Sequence, residues 1–239
     1  DVSWLTTSIS NDGKFMLAGV FKGRLYLSND YGTSWKEIKP AGDSNEQWRT
    51  TSMSHDGKFM LTGAYKGRLY LSNDYGTSWR EIQSAGDSDE IWQTTSMSHD
   101  GKFMFASVDD GRLYLSNDYG NTWREIKPAG DTNQKWRTTS MSHDGKFMIA
   151  GVYEGRLYFS NDYGNTWNTI DAKPLTNEYL RKSAISTNGK NILIRNENNK
   201  ILLSNDTGRT WKTINPIKDS NLLWSSFSMD GNGDKILAS

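Results

Sequence analysis

The chain has 239 residues, with 28 Lys and Arg against 28 Asp and Glu, 10 Trp and no Cys. Balanced charge removes the general electrostatic attraction to nucleic acids and anionic membranes, since both are held chiefly by an excess of Lys and Arg. The absence of Cys excludes a disulfide framework, a thiolate nucleophile and a Cys-ligated zinc.

The chain begins with Asp1-Val2-Ser3-Trp4, which does not have the pattern of a signal peptide. No apolar run approaches the roughly 20 residues that a bilayer-spanning helix needs. We therefore predict a soluble protein without membrane insertion and without a nucleic-acid partner. The sequence leaves the cellular compartment open, because a signal removed before residue 1 leaves no trace.

A 44-residue repeat begins at Trp4. Residues 4–47 and 48–91 are identical at 33 of 44 positions, and further copies occupy 92–135, 136–179 and 180–223, with a partial sixth at 224–239. The ten Trp occupy only two positions of the repeat. The first position holds Trp4, Trp48, Trp92, Trp136 and Trp224, and the second holds Trp35, Trp79, Trp123, Trp167 and Trp211.

Each repeat predicts four short strands, which in the second copy span residues 49–54, 58–65, 68–72 and 78–82. The joints are Asp56-Gly57, a strong hairpin dipeptide, then Lys66-Gly67, and then a turn at 73–77. Asn199 occupies the Gly67 position in the fifth copy, which indicates a left-handed residue there. No stretch has a sustained helical period, so we expect essentially no helix.

Four antiparallel strands in 44 residues have the size of one propeller blade. The strands are apolar on both faces, as in Leu69-Tyr70-Leu71, and bury those faces only against neighbouring sheets. We predict an all-β fold, a single β-propeller domain over residues 1–239. Six blade positions with an incomplete last blade are favoured, and the alternatives are a five-bladed ring or a piece of a longer chain.

The pattern Ser-x-Asp-x-Gly-x-Thr/Ser-Trp, first seen at residues 28–35, resembles the Asp-box, or BNR repeat. The resemblance implies a β-propeller like those of sialidases, sortilin-type receptors, some glucan-cleaving enzymes and photosystem assembly factors, without implying any one activity. In that family the box is a turn between the third and fourth strands, far from active sites. It therefore implies a structural role for the second Trp set and for Asp30, Asp74, Asp118, Asp162 and Asp206.

Catalytic residues are not singled out by the sequence. A sialidase needs an arginine cluster, a Tyr/Glu nucleophile pair and an acidic Asp, and no Arg here is followed by Ile-Pro. The Arg residues are mostly repeat equivalents, which symmetry distributes among the repeats rather than gathering in one pocket. We expect no enzyme, and a sialidase-like or other glycoside hydrolase is the alternative.

Metal ions and cofactors are not expected either. His55, His99 and His143 are the only histidines, and each lies in the hairpin of its own repeat without a second type of ligand. The segment 230–234, Asp-Gly-Asn-Gly-Asp, resembles the start of a calcium loop but aligns with the Asp-Gly hairpins.

The candidate ligand contacts are Trp48, Trp92 and Trp136, with Arg49 and Arg137 beside two of them. Exposed Trp stacks on sugar rings, and repetition multiplies weak sites. The alternative is that each Trp fills the gap between adjacent blades.

The leading functional hypothesis is a non-catalytic binding or scaffolding propeller with a protein or carbohydrate ligand. The alternatives are a multivalent lectin, the hydrolase, and an engineered or recently amplified repeat protein without a selected ligand. An incomplete last blade exposes sheet edges, which predicts a homo-oligomer.

Overall fold

The computed structural model describes residues 3–86, 88–154, 156–170, 179–198, 200–214 and 227–238. These ranges contain 22 β-strands, and no helix among them is long and apolar enough to cross a membrane. The all-β prediction is confirmed. The chain forms two compact units, residues 1–127 and 128–239.

The first unit holds three repeats whose strands pair antiparallel in chain order. The strands of the first repeat are β1 (Trp4–Ile9), β2 (Met16–Val20), β3 (Leu25–Ser28) and β4 (Lys36–Ile38). The second repeat has β5 (Trp48–Met53), β6 (Met60–Gly67), β7 (Leu69–Ser72) and β8 (Arg80–Ile82). The third has β9 (Glu90–Met97), β10 (Met104–Gly111), β11 (Leu113–Ser116) and β12 (Arg124–Ile126). The four strands predicted for the second repeat are observed with ends shifted by at most two residues.

The second unit continues the same antiparallel pairing. Its fourth repeat has β13 (Gln134–Met141), β14 (Met148–Val152), β15 (Leu157–Ser160) and β16 (Asn168–Ile170). Its fifth has β17 (Leu180–Ile185), β18 (Ile192–Asn196), β19 (Ile201–Ser204) and β20 (Lys212–Ile214). The partial sixth repeat contributes the hairpin of β21 (Phe227–Met229) and β22 (Ile236–Ala238). Trp224 and Asn199 lie outside the described residues.

The Asp-Gly hairpins form as the sequence predicts. Gly57 has φ of 76° and donates its N–H to the Ser54 carbonyl at 3.0 Å. Asp56 braces the turn, because its Oδ1 accepts the Ser54 hydroxyl at 2.7 Å and the Lys58 N–H at 2.9 Å. Gly233 takes the same role in the 230–234 segment, with φ of 80°, so that segment is a hairpin.

The left-handed residue of the next turn differs from the prediction. Lys66, with φ of 53°, takes the positive φ, whereas Gly67 ends β6 with an ordinary φ. Glycine is needed there for space instead, since a Cβ would stand 2.9 Å from that of Ala64. The Gly67 carbonyl also accepts the indole N–H of Trp92 at 3.1 Å.

Consecutive repeats of the first unit share one core. Leu17 and Leu25 of the first repeat cluster with Trp48, Met60 and Tyr70 of the second, and all five are at most 9% exposed. This packing buries both faces of a sheet that a single repeat would leave in water.

Candidate functional site

The Asp-box carboxylate accepts hydrogen bonds from its own turn. Oδ1 of Asp30 accepts the Ser34 N–H at 2.9 Å and the Ser28 hydroxyl at 2.8 Å, while Oδ2 accepts the Ser34 hydroxyl at 2.6 Å. Tyr31 and Gly32 both have positive φ, of 60° and 79°. The same bonds recur at Asp74, Asp118, Asp162 and Asp206.

These hydrogen bonds also lower the carboxyl pKa values of the boxes. The hydroxyl and then the N–H of Thr210 lower the pKa of Asp206 to about 2. At Asp118 burial acts in the opposite direction, but the bonds from Thr122 and Ser116 outweigh it and the pKa is again lowered. A carboxylate held ionised by donors of its own turn is suited to a structural role, which supports the structural assignment.

The box tryptophans make hydrogen bonds within their own turns. The indole N–H groups of Trp79, Trp123, Trp167 and Trp211 each donate to the carbonyl of the box glycine at 3.1–3.2 Å. Trp79 packs on the core cluster that contains Leu17 and Leu25. Trp35 of the first repeat is 45% exposed.

Three tryptophans of the first position are core residues. Trp48, Trp92 and Trp136 are each 2% exposed, and each ring lies 5.7–5.9 Å from a tyrosine of its own repeat. A sugar ring stacks only on an accessible face, so this burial favours the packing alternative over ligand contact. Their role in ligand binding stays a prediction.

Arg49 and Arg137 are displaced from the strand ladders by β-bulges. Trp48 pairs with Ala64 and Thr50 with Gly63, which leaves Arg49 as the extra residue between them. Arg137 and Arg181 occupy the same place in β13 and β17. A bulge turns its side chain away from the regular sheet face. Each of the three arginines directly follows the first Trp position of its repeat, which Leu180 occupies in the fifth repeat.

Arg49 and Arg137 each contact a tyrosine. The guanidinium carbon of Arg49 lies 5.3 Å from the Tyr65 ring centroid, and that of Arg137 lies 5.0 Å from Tyr153. Both are cation–π distances. These tyrosines were not predicted from the sequence, although Phe21, Tyr65 and Tyr153 share one repeat position.

The fullest arrangement joins the fourth and fifth repeats, and we call it the Tyr153 cluster. It comprises Arg137, Tyr153, Tyr179, Arg181 and Glu197. The Tyr153 ring stacks on Tyr179 with centroids 4.5 Å apart and 17° between planes, and Arg181 lies 5.4 Å from the same ring. Tyr179 is 44% exposed, so the cluster opens to solvent.

Glu197 contacts both Arg181 and Tyr153 of the cluster. It forms an ion pair with Arg181, and its Oε2 accepts the Tyr153 hydroxyl at 3.1 Å. The hydrogen bond from Arg181 holds the pKa of Glu197 below its usual range. Burial, followed by the bond to Glu197, raises the pKa of Tyr153. The result is an ordered aromatic and cationic surface suited to binding carboxylates and planar groups.

The histidines of the first unit lie against each other. The His55 and His99 rings have centroids 3.6 Å apart and planes inclined at 33°, and the backbone N–H of His55 donates to the His99 carbonyl at 2.9 Å. Within the described residues no group of three or more His, Cys, Asp or Glu is placed to hold a metal ion.

Antiparallel four-strand repeats, each closed by an Asp-box turn, define an Asp-box β-propeller protein. The model of the Sortilin-Vps10 family, described as "Sortilin, neurotensin receptor 3", matches residues 67–153 and 111–238. Because these matches together span more than half of the chain, the protein belongs to this family. Comparison with curated protein sequences gives no match.

Solved structures share the fold at low identity. The structure "YCF48 bound to D1 peptide" has a TM-score of 0.71 and 16% identity, covering 99% of this chain and 75% of that one. YCF48 from Cyanidioschyzon merolae has a TM-score of 0.51 and 12% identity, covering 99% and 92%. An ancestral GH74 enzyme has a TM-score of 0.79 and 12% identity, covering 99% of this chain and 34% of the enzyme. The predicted β-propeller fold is confirmed.

Proposed function

We propose that this protein is a non-catalytic binding propeller that holds a protein partner at the Tyr153 cluster, within a single propeller domain. The observation that carries the proposal is the bulged Arg137 and Arg181 on one tyrosine, beside the exposed Tyr179. Arg and Tyr are enriched where proteins bind proteins, because they combine a large flat surface with hydrogen-bonding groups. The likeness to a YCF48 structure that contains a peptide supports a peptide-like ligand.

The carboxyl groups support a binding role over hydrolysis. A glycoside hydrolase needs one carboxylic acid with a raised pKa as its general acid. In the part of the chain that the structure describes, the carboxyl groups with shifted pKa values are all shifted downward, as at Asp118 and Glu197. The GH74 likeness, at 12% identity, concerns the fold.

Peptide display tests this function. The purified chain is panned against a random peptide library, with a glycan array and a glucan-hydrolysis assay run in parallel. We expect enriched peptides whose binding weakens in Arg137→Gln and in Tyr179→Ser. Arg49→Gln is the matched control, since Arg49 has the same bulge and tyrosine contact but belongs to the second repeat.

Three results would overturn the proposal. The first is a library without enriched peptides, and the second is peptides whose binding is equally insensitive to Arg137→Gln and Arg49→Gln. The third is glycan binding at several equivalent sites per chain, which would establish the lectin instead.

Self-association stays a prediction. Trp4 and Ile9 on β1 are 54% and 57% exposed, and Leu237 on β22 is 72% exposed. Exposed apolar residues on strands favour pairing between copies. Light scattering across micromolar concentrations is expected to show a concentration-dependent mass, and a constant monomer mass would contradict it.

A further inference from the structure

The chain contains two Asn-Gly dipeptides, Asn188-Gly189 and Asn232-Gly233, and both lie in hairpins at the same position of the repeat. The first hairpin joins β17 to β18, and the second joins β21 to β22. In the first four repeats an Asp stands in place of this Asn, as at Asp56. The two dipeptides can therefore be compared directly, since they differ only in what surrounds them.

Asparagine before glycine is prone to deamidation, because glycine has no side chain to shield its backbone nitrogen. That nitrogen loses its proton and bonds to the side-chain carbonyl carbon of the asparagine. The bond from this carbon to the amide nitrogen breaks, and the nitrogen leaves as ammonia. Water then opens the succinimide ring and gives aspartate or isoaspartate, so the net reaction consumes water, releases ammonia and transfers no electrons. The side chain has to turn towards the glycine nitrogen for this attack.

The backbones of the two hairpins are alike. Gly189 has φ of 71° and donates its N–H to the Ser186 carbonyl at 2.9 Å. Gly233 has φ of 80° and donates its N–H to the Asp230 carbonyl at 3.0 Å. Each attacking nitrogen is thus restrained by one hydrogen bond. A difference in reactivity has to come from the asparagine side chains.

The side chain of Asn188 is held by two hydrogen bonds. Its Oδ1 accepts the Ser186 hydroxyl at 2.8 Å and the Lys190 N–H at 2.9 Å. Asp56 accepts the equivalent two bonds in the second repeat. Because both bonds have to break before the Asn188 side chain turns towards Gly189, they should slow the attack about tenfold or more.

The side chain of Asn232 is exposed and makes no hydrogen bond with the described residues. Asp230 supplies the acceptor instead, since its Oδ1 accepts the N–H groups of Asp234 at 2.8 Å and Lys235 at 3.0 Å. Asp230 also stands at the repeat position of Ser186, so this hairpin has no hydroxyl donor there. Among the described strands β21 and β22 pair only with each other, and such a small sheet opens readily.

We propose that Asn232 is a site of spontaneous deamidation and that Asn188 is protected from it. This inference goes beyond the proposed binding function and does not depend on it. The aspartate product fits the hairpin, because Asp occupies this repeat position in the first four repeats. Isoaspartate instead adds an atom to the backbone of the turn. Either product places a new negative charge in the hairpin that already contains Asp230 and Asp234.

The test follows both sites in the full chain by peptide mapping with mass spectrometry. The folded chain is incubated at mildly alkaline pH, and its digestion at mildly acidic pH separates the peptides that contain Asn188 and Asn232. The same incubation in concentrated urea gives the rate of each dipeptide without structure. We expect equal rates in urea, and in the folded chain a rate at Asn232 that is about tenfold or more above that at Asn188.

Two variants exchange the surroundings of the two sites. Asp230→Ser gives the second hairpin the hydroxyl that Ser186 supplies in the first, and it should slow deamidation at Asn232. Ser186→Ala removes one of the two bonds to Asn188 and should raise the rate there about fivefold. The unaltered hairpin is the internal control in each variant, and near-ultraviolet circular dichroism establishes that both variants are folded.

Equal rates at the two sites of the folded wild-type chain would overturn the inference. An unchanged rate at Asn188 in folded Ser186→Ala would also overturn it. If Ser186→Ala does not fold, Asp230→Ser decides, and an unchanged rate at Asn232 in that variant has the same consequence. The proposed function fails separately, because it is measured by peptide display at Arg137 and Tyr179.

Discussion

Trp92 of the third repeat occupies the space that a side chain on Gly63 of the second repeat would need. The Cβ of Trp92 would lie 2.5 Å from a Cβ built on Gly63, and the indole is 2% exposed. Trp48 has the same relationship to Gly19 at 2.7 Å. One repeat therefore supplies the cavity and the next repeat supplies the ring that fills it.

Replacing Gly63 by alanine should destabilise the protein by about 1–3 kcal/mol, the usual cost of overpacking a core. Urea unfolding followed by tryptophan fluorescence measures the change. Ser107→Ala at the same repeat position adds no atom and measures only the loss of the Ser107 hydroxyl bonds to Thr94, so it serves as the comparison. An unchanged unfolding midpoint in Gly63→Ala would contradict this account of how repeats join.

Replacing Trp92 by phenylalanine should lower stability and leave ligand binding intact. The substitution removes apolar contacts and the bond to the Gly67 carbonyl, for an expected loss of about 2–4 kcal/mol. The binding of display-selected peptides to the folded variant is the second measurement. A folded Trp92→Phe chain that no longer binds them would restore this tryptophan as a ligand contact.

Acid should destabilise the fold through the Asp boxes. Their carboxyl pKa values are lowered in the folded state, from an ordinary value of 3.8 to about 2 at Asp206. Stability from such groups is fully present above the unfolded pKa, and it is lost as the pH falls from about 4 towards about 2. Urea midpoints between pH 7 and pH 2.5 should fall less steeply in Asp118→Asn than in the wild type. Asp110→Asn removes a carboxyl outside the boxes and controls for charge, and identical pH profiles for all three proteins would contradict this role.

Two substitutions of the Asp-box tyrosine, which has a positive φ, distinguish backbone strain from aromatic stacking. Tyr119 has φ of 63° and stacks on Phe59 of the preceding repeat, with centroids 5.4 Å apart. Tyr119→Ala loses the stack and keeps the strained backbone, for an expected loss of about 1–2 kcal/mol. Tyr119→Gly loses the stack but relieves the strain, so its stability should lie within about 1 kcal/mol of wild type. If chemical unfolding gives the two variants equal stability, the positive φ contributes no strain.

The sequence by itself determined the repeat, the strand order and the turns, because these follow from local chemistry. Asp56-Gly57 makes its hairpin within five residues, and Asp30 accepts all its bonds from its own turn. One local prediction was wrong by a residue. The left-handed conformation falls on Lys66, while the Gly67 carbonyl accepts the indole N–H of Trp92 and a Cβ on Gly67 would meet that of Ala64.

Only the tertiary structure decided which aromatic and charged groups meet. Trp92 and Tyr179 are both large aromatic residues, but packing between repeats leaves Trp92 only 2% exposed and Tyr179 44% exposed. Arg137 reaches Tyr153 because a bulge displaces it from its strand, and Tyr153 reaches Glu197 across 44 residues of chain. Such meetings depend on how one sheet stacks on the next, which a repeat period does not specify.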